Sequence, residues 1–453
     1  MSRILSFLSD LQPQRFFLVA ALLGGLIFVF VTPPFQVPDE PAHFYRAYSV
    51  SEGQFFMGGE DGKNPRPLPA SLRALVEILV DDVPFHPETR IQPGTWTRAR
   101  EVQLRPHEVE RISPPSSLLY SAVPYLPQAA GIAVGRLFGA SPLALVFFAR
   151  TANLLAAVGL IYFAICQLPG YRWLAVLLAL MPMAMFLRSS VSVDAGITAI
   201  AYLLTATIAK IAFGATPMHG RRDFGLLVVL SVSLCLTKPV YFPLVLVVLV
   251  IPSSRLPIQR PGFVLLAVLV FSIGAVTMTL AISQPAVDGI SARIDSLVDE
   301  ILTNPFDLFG QILVDYIWHA PRYGAEFIGR LGWLDTPLPL VLLGSYLAFL
   351  IVYTVFDSGP QAIVTPRQRL VLALVIVASL MAISTAMYFI NGRMAGIQGR
   401  YFHPIALAAA WIFHSGHRLK FADEGWVLPA GVALLSVISF AVTAFTICHR
   451  YYG

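Results

Sequence analysis

Residues 16–32 read FFLVAALLGGLIFVFVT, an uninterrupted apolar run followed at 38–43 by Pro-Asp-Glu-Pro-Ala-His. The run outlasts a signal-peptide core and no small-residue cleavage site follows it, so it reads as an uncleaved first membrane span. Runs of this kind recur along the chain. The 453 residues are 56% hydrophobic and 13% charged, with mean hydropathy +0.70, whereas a soluble domain carries about 25% charged residues. So little charge cannot clothe a water-facing globule of this length. The expected fold is therefore an all-α polytopic membrane protein.

Charge placement gives a topology. Arg3 and Arg15 precede the first span, which puts the N-terminus on the cytoplasmic side. The spans then fall near 16–32, 142–167, 173–187, 195–214, 224–237, 240–252, 262–283, 338–356, 369–390, 402–416 and 426–448, about eleven in all, with an extracytoplasmic C-terminus. The stretch 116–139, broken by Pro124 and Pro127, is ambiguous. If it crossed, Arg221-Arg222 would fall outside. If it lies along the surface, every basic loop falls inside: Arg172, Arg221-Arg222, Arg255 with Arg260, Arg367 with Arg369, and Arg418 with Lys420. It is therefore read as juxtamembrane. Two large extracytoplasmic loops result. One covers 33–141, polar to about 115 and then the surface helices. The other covers 284–337, with helix-like stretches such as 290–302. The whole chain is one integral membrane domain, and Thr237-Lys238-Pro239 joins two short segments that read as broken half-helices. No basic run with interleaved aromatics points to nucleic acid. Cys166, Cys235 and Cys448 lie far apart and read as buried, inert thiols.

The chemistry-bearing residues gather at the outer edge. Asp39 and Glu40 stand at the mouth of the first span, with His43 and Arg46 one helical turn apart behind them. Arg188-Ser-Ser-Val-Ser-Val-Asp194 places a second carboxylate on another outer loop. Helix capping is the plain alternative for both Asp39 and Asp194. A hydroxyl attacking an anomeric carbon needs a base such as a carboxylate, and a second carboxylate can orient the acceptor or help hold a divalent cation, Mg or Mn. A phosphate leaving group needs cations, and Lys238, Arg393, Arg400, Arg188 and Arg150 face that side, Arg150 being read as a structural partner for a carboxylate. Arg393 and Arg400 flank NGRMAGIQGRYFHP, where Tyr401 and His403 add hydrogen-bonding groups. Trp333 fits an interfacial aromatic belt. Asp315, His319, Arg322 and Glu326 fit the solvated face of an amphipathic helix.

PDEPAHFYRAYSVSEGQ (38–54), PPSSLLYSAVPYLPQAAG (114–131), SVDAG (192–196), LGWLD (331–335) and GIQGRYFHP (396–404) occur in this order in a bacterial membrane-protein family. The chain resembles that family, domain of unknown function 2142, over about residues 16–448. The family is in turn similar to the GT-C glycosyltransferases, which use polyprenyl-phosphate sugars. The resemblance implies that Asp39, with Glu40 beside it, matches the first-loop catalytic acid and Asp194 the acid of the next outer loop. Lys238, in LTKP, resembles a lysine of some aminoarabinose and mannosyl transferases. Segment 116–139 matches their juxtamembrane helices. A WWDYG-type motif and a soluble C-terminal domain are both lacking, which disfavours peptide glycosylation.

The resulting expectation is an inverting transferase in the bacterial inner membrane. It moves a sugar from a polyprenyl-phosphate donor to an envelope glycan or lipid-linked acceptor. Asp39, Glu40 and Asp194 carry the chemistry, and His43, Arg46, Lys238, Arg393, Arg400, Tyr401 and His403 bind substrate. The alternatives are a transporter or flippase for lipid-linked sugars, or a non-catalytic assembly partner. A transporter calls for charges near the bilayer midplane and for repeated halves, and neither pattern stands out in the sequence.

Overall fold

The computed structural model describes residues 10–55, 67–112, 120–215, 220–256, 261–282, 298–299, 303–357, 363–414 and 425–453. Helices dominate: α1 (Pro13–Val31), α2 (Glu40–Ser51), α3 (Ala70–Val80), α4 (Pro93–Glu101), α5 (Leu126–Leu137), α6 (Pro142–Gln167), α7 (Arg172–Ala179), α8 (Pro182–Arg188) and α9 (Asp194–Phe213). They continue with α10 (Gly220–Thr237), α11 (Pro261–Ile282), α12 (Pro305–Gly329), α13 (Leu340–Phe356), α14 (Pro366–Asn391), α15 (His403–Ala410) and α16 (Val427–Tyr452). Two antiparallel strand pairs, β1 (Pro67–Pro69) with β2 (Val109–Arg111) and β3 (Arg330–Leu331) with β4 (Thr336–Pro337), close the loops that carry them.

Proline repeatedly opens these helices, because the first turn has no use for its missing N–H. On α14 a full capping box of Thr365 and Gln368 follows the same logic, and Gly392 ends the helix with φ 68°. The bundle is arranged for an apolar solvent. Leu23, Phe30, Leu266, Leu374 and Phe445 are all more than half exposed, while Arg150, Asn153 and Asp194 are buried.

Among the described residues, six helices are long and apolar enough to cross a membrane: α1, α6, α9, α11, α14 and α16. The eleven expected spans are thus not all met by long helices. The third is broken into α7 and α8 at Leu180-Met181, ahead of Pro182. The sixth, Pro239–Val250, is mostly 3-10 helix, and the tenth shrinks to the eight-residue α15 and one 3-10 turn. Pro182, Pro239 and Pro404 each stand in the first turn of the segment after a break, where the preceding helix cannot run on through them. The expected stretch 290–302, apart from 298–299, and the basic pair Arg418 and Lys420 lie outside the described residues.

Helix α5, at 12 residues, is about 18 Å long against a hydrocarbon core of roughly 30 Å. Leu126, Val134, Leu137 and Phe138 stay exposed along it. Its inner side meets α6 so closely that a Cβ at Gly131 would stand 2.4 Å from the Phe148 carbonyl oxygen.

Helix α12 keeps half of the expected solvated face, with His319 and Arg322 each 47% exposed, but turns its two carboxylates of that face inward. Asp315 and Glu326 are buried, whereas Phe306, Ile317 and Trp318 are the exposed ones. The carboxylates are drawn inward because they have partners there. Asp315 accepts from Tyr323 Oη at 2.6 Å and meets His319 Nδ1 at 2.9 Å, and Glu326 accepts from the Gly399 N–H. An apolar outer stripe costs nothing against lipid. Of the three cysteines only Cys235 is buried. Cys448 is exposed and Cys166 half-buried, which corrects the expectation for those two.

One buried ion pair ties the start of the chain together. Arg150 Nε and Nη2 grip Glu40 at 2.8 and 2.7 Å, both side chains being fully buried. Arg150 also donates to the carbonyls of Val29, Thr32 and Pro33, the unpaired end of α1. Glu40 accepts the N–H groups of Phe35 and Val191. Breaking such a pair strands a charge and typically costs about 3–5 kcal/mol. Arg150→Met and Glu40→Gln are each expected to lower the thermal midpoint of the purified protein sharply. The double variant Glu40→Leu/Arg150→Met should recover only part of that loss, because two backbone N–H groups still lack an acceptor. A single variant that melts with the wild type would contradict this.

Candidate functional site

Four chain segments meet at one end of the bundle. The turn after α1 brings Asp39, the start of α9 brings Asp194, the end of α10 brings Lys238, and the 3-10 turn Gly399–Phe402 brings Arg400 and Tyr401. Asp39 sits in the left-handed region at φ 63°, immediately before α2. Capping does not explain its side chain, which makes no cap hydrogen bond and instead accepts from Arg400 Nη2 at 2.8 Å. Neither does it explain Asp194, which is already the first helical residue of α9 and accepts from Arg400 Nη1 at 3.1 Å. Lys238 Nζ lies 4.0 Å from the other Asp194 oxygen. One guanidinium thus spans two carboxylates from loops 155 residues apart, the separation of positions 39 and 194.

Aromatic rings wall this centre. Lys238 Nζ lies 4.4 Å from the Tyr401 ring centroid, 5.6 Å from Tyr120 and 5.9 Å from Tyr241. Tyr241 Oη donates to the Tyr401 carbonyl at 2.9 Å, fixing the turn. The turn itself depends on Gly399, where a Cβ would come within 2.2 Å of the Tyr323 carbonyl oxygen on α12. His43 pairs through Nδ1 with Tyr125 Oη at 2.9 Å and meets the Tyr120 ring edge-on. The centre opens on one side: the Asp39 side chain is 36% exposed, Lys238 15%, Asp194 9% and Arg400 2%.

The electrostatics keep Asp39 and Arg400 charged. Burial pushes the Asp39 carboxyl up, but Arg400, His43 and Lys238 outweigh it and hold the group below 3.8. Burial works against Arg400 as well, yet Tyr401, Asp194 and Asp39 raise it above its ordinary value, so it stays protonated. Burial pushes the His43 imidazole down to about 4, against the pull of Asp39 and Asp194, so it is neutral at pH 7.

Of the expected site residues, Asp39, Asp194, Lys238, Arg400 and Tyr401 come together, with His43 beside them. Glu40 does not join them, because both its oxygens are consumed by Arg150 and backbone N–H groups. Arg46 turns away to the carbonyls of Gln54 and Phe55. Arg393 is exposed after α14, and His403 Nε2 is engaged by the Phe327 carbonyl at 2.7 Å. Trp333 donates to the Phe35 carbonyl. Tyr120, Tyr125 and Tyr241 were not singled out in the sequence. Their signal was proximity to segments that were: two lie in the stretch 114–131 and one follows Lys238 by three residues.

A divalent cation does not fit the donor set. Among the described residues no three His, Cys, Asp or Glu side chains converge. The facing oxygens of Asp39 and Asp194 are already bound to a guanidinium.

The profile of the family described as "Predicted membrane protein (DUF2142)" matches residues 22–409. The chain belongs to that family. No curated protein and no solved structure matches it.

The neutral His43 sets a pH dependence. An unfolded imidazole titrates near 6.5 and the folded one near 4. Between those values the unfolded state binds a proton that the folded state refuses, so acid destabilises the fold in that window. The thermal midpoint of wild type should fall from pH 7 to 4.5 more steeply than that of His43→Gln. Parallel curves would show that His43 does not carry the effect.

Proposed function

We propose that this member of the family is a GT-C-like glycosyltransferase of the bacterial inner membrane. It moves a sugar from a polyprenyl-phosphate donor to an envelope glycan or lipid-linked acceptor. The observation that carries this reading is the pair of carboxylates, Asp39 and Asp194, held on one guanidinium beside an aromatic-caged lysine at a partly open centre.

The parts suit a displacement at an anomeric carbon. The acceptor hydroxyl oxygen attacks that carbon and gives its proton to Asp39. The bond from carbon to phosphate oxygen breaks, and the phosphate leaves with the electron pair, inverting the configuration. Arg400 and Lys238 offer the cations that a departing phosphate needs. In the resting protein Asp39 is a weak base, held low by Arg400. A carrier phosphate that claims Arg400 loosens this hold, and the carboxylate becomes more basic as the substrate arrives. Asp194, at the positive end of α9, orients the acceptor. His43, neutral and tied to Tyr125, borders the acceptor side.

Two further features support a lipid-linked substrate at the outer face. A cleft of about 450 Å³ is lined by apolar side chains including Leu174, Leu178, Phe327, Ala406, Ala410 and Phe413. It starts beside His403, whose ring meets Phe327 edge-on at 4.8 Å. At the opposite end of the bundle Arg172, Arg255 and Arg369 bind the carbonyls of Leu168, Gly214 and His414. Short basic connections of this kind mark the cytoplasmic side, which leaves the Asp39 centre facing outward.

The test is a deletion strain complemented with wild type, Asp39→Asn or Asp194→Asn, with the envelope polysaccharides weighed by mass spectrometry. Asn tolerates the left-handed backbone at position 39, so that fold should persist. A sugar mass restored by wild type and lost, by at least about 100-fold, in Asp39→Asn is expected of a missing base. Full restoration by Asp39→Asn at equal protein level would remove Asp39 from the chemistry.

A further inference from the structure

Five guanidiniums are buried among the described residues: those of Arg46, Arg150, Arg188, Arg400 and Arg450. Four of them have the partners such a cation requires. Arg150 and Arg400 hold carboxylates, Arg46 holds two carbonyls, and Arg450 holds Asp335 and the carbonyls of Val83, His86 and Thr89. Arg188 differs. It is 1% exposed, its Nη1 reaches only the Met185 sulfur at 3.1 Å, and its Nη2 has no partner. A guanidinium cannot shed its proton, so this is a permanent charge out of water, near the Tyr202 phenol but with no carboxylate or carbonyl bonded to it among the described residues. Such a group is strongly unfavourable unless an anion completes it.

Its place makes the anion legible. Arg188 ends α8 and opens the Arg188–Asp194 segment whose last residue is part of the centre. The charges of Arg188, Asp194 and Arg400 all lie near enough to act on the His403 imidazole. That imidazole stands at the head of the apolar cleft, with Ala406 and Ala410 one and two turns further along the same face of α15. Arg400 spends its charge on Asp39 and Asp194, and Arg188 meets no carboxylate among the described residues.

We propose that Arg188 is a second anion-binding residue of this site, and that the lipid-linked ligand carries a diphosphate. One phosphate group meets Arg188 at the head of the cleft, and the other meets Arg400 and Lys238. The inference rests on reading the centre as a lipid-phosphate site, and it narrows the carrier from any phosphate-bearing polyprenyl lipid to a diphosphate one.

The experiment measures binding of farnesyl monophosphate and farnesyl diphosphate to the purified full-length chain in nanodiscs, together with the thermal midpoint of the ligand-free protein. Wild type should hold the diphosphate about 10-fold or more tighter than the monophosphate, as one added charge-assisted contact implies. Arg188→Met should lose this preference while binding the monophosphate as before, and Arg188→Lys should keep part of it. Ligand-free Arg188→Met should melt at or above the wild-type temperature, because it removes an uncompensated charge. Equal binding of the two probes by wild type would overturn the diphosphate proposal and leave the lipid-phosphate reading standing. A lowered midpoint in Arg188→Met with the preference intact would make Arg188 structural and also overturn it. Binding of neither probe would instead overturn the lipid-phosphate reading on which it rests.

Discussion

The fully buried pair of Glu40 and Arg150 is the interaction from which the rest of this end of the molecule follows. Arg150 gathers the last carbonyls of α1, and Glu40 gathers the N–H groups of Phe35 and Val191. Three segments distant in sequence are thereby locked onto one charge pair. Asp39 precedes Glu40 directly, and Asp194 follows Val191 by three residues. The clamp thus sets where both carboxylates of the centre stand, and it holds Asp39 in a left-handed conformation that a non-glycine residue seldom adopts. Buried ion pairs add little net stability. Here the return for burying one is position.

The centre so placed is built of charges that partly cancel. Arg400 neutralises two carboxylates in the resting protein, and Lys238 stands within a ring of tyrosines rather than against a single acid. On the proposed function, an incoming anion would exchange partners with groups already in place, so little would have to move. The close approach of Gly399 to α12 and the bond from Glu326 to its N–H anchor the Arg400 turn as firmly as the clamp anchors the acids. Helix α12 supports that turn with Asp315 and Glu326 inward and Tyr316 and Tyr323 packed on Phe402, while Phe306 and Trp318 face outward.

Much of this was legible in the sequence. Sparse charge and long apolar runs gave a helical membrane protein. Capping could be weighed against chemistry at Asp39 and Asp194, and the structure separates the two because neither side chain caps its helix. Glu40 was harder. Adjacent carboxylates look alike in a sequence, and only the fold shows that one faces a buried Arg150 while its neighbour faces the opening. Helix α12 misled for a related reason. A helical pattern of charges reads as a wet face when water is the assumed solvent, and beside lipid its two carboxylates turn inward. The short and broken helices could not be counted from hydropathy, since Pro182, Pro239 and Pro404 interrupt apolar runs without making them less apolar. The tyrosines escaped because a ring that lines a cage and a ring that marks an interface have the same sequence signature.

On the proposed function, this centre breaks the bond between a sugar and its lipid phosphate. The direct measurement reconstitutes the purified chain in liposomes carrying its polyprenyl-linked sugar and acceptor, and follows release of the carrier's phosphate head alongside sugar arrival. The account predicts one carrier freed for every sugar moved, and none with Asp39→Asn. Passage of the lipid-linked sugar across the bilayer with its phosphate bond intact would contradict it.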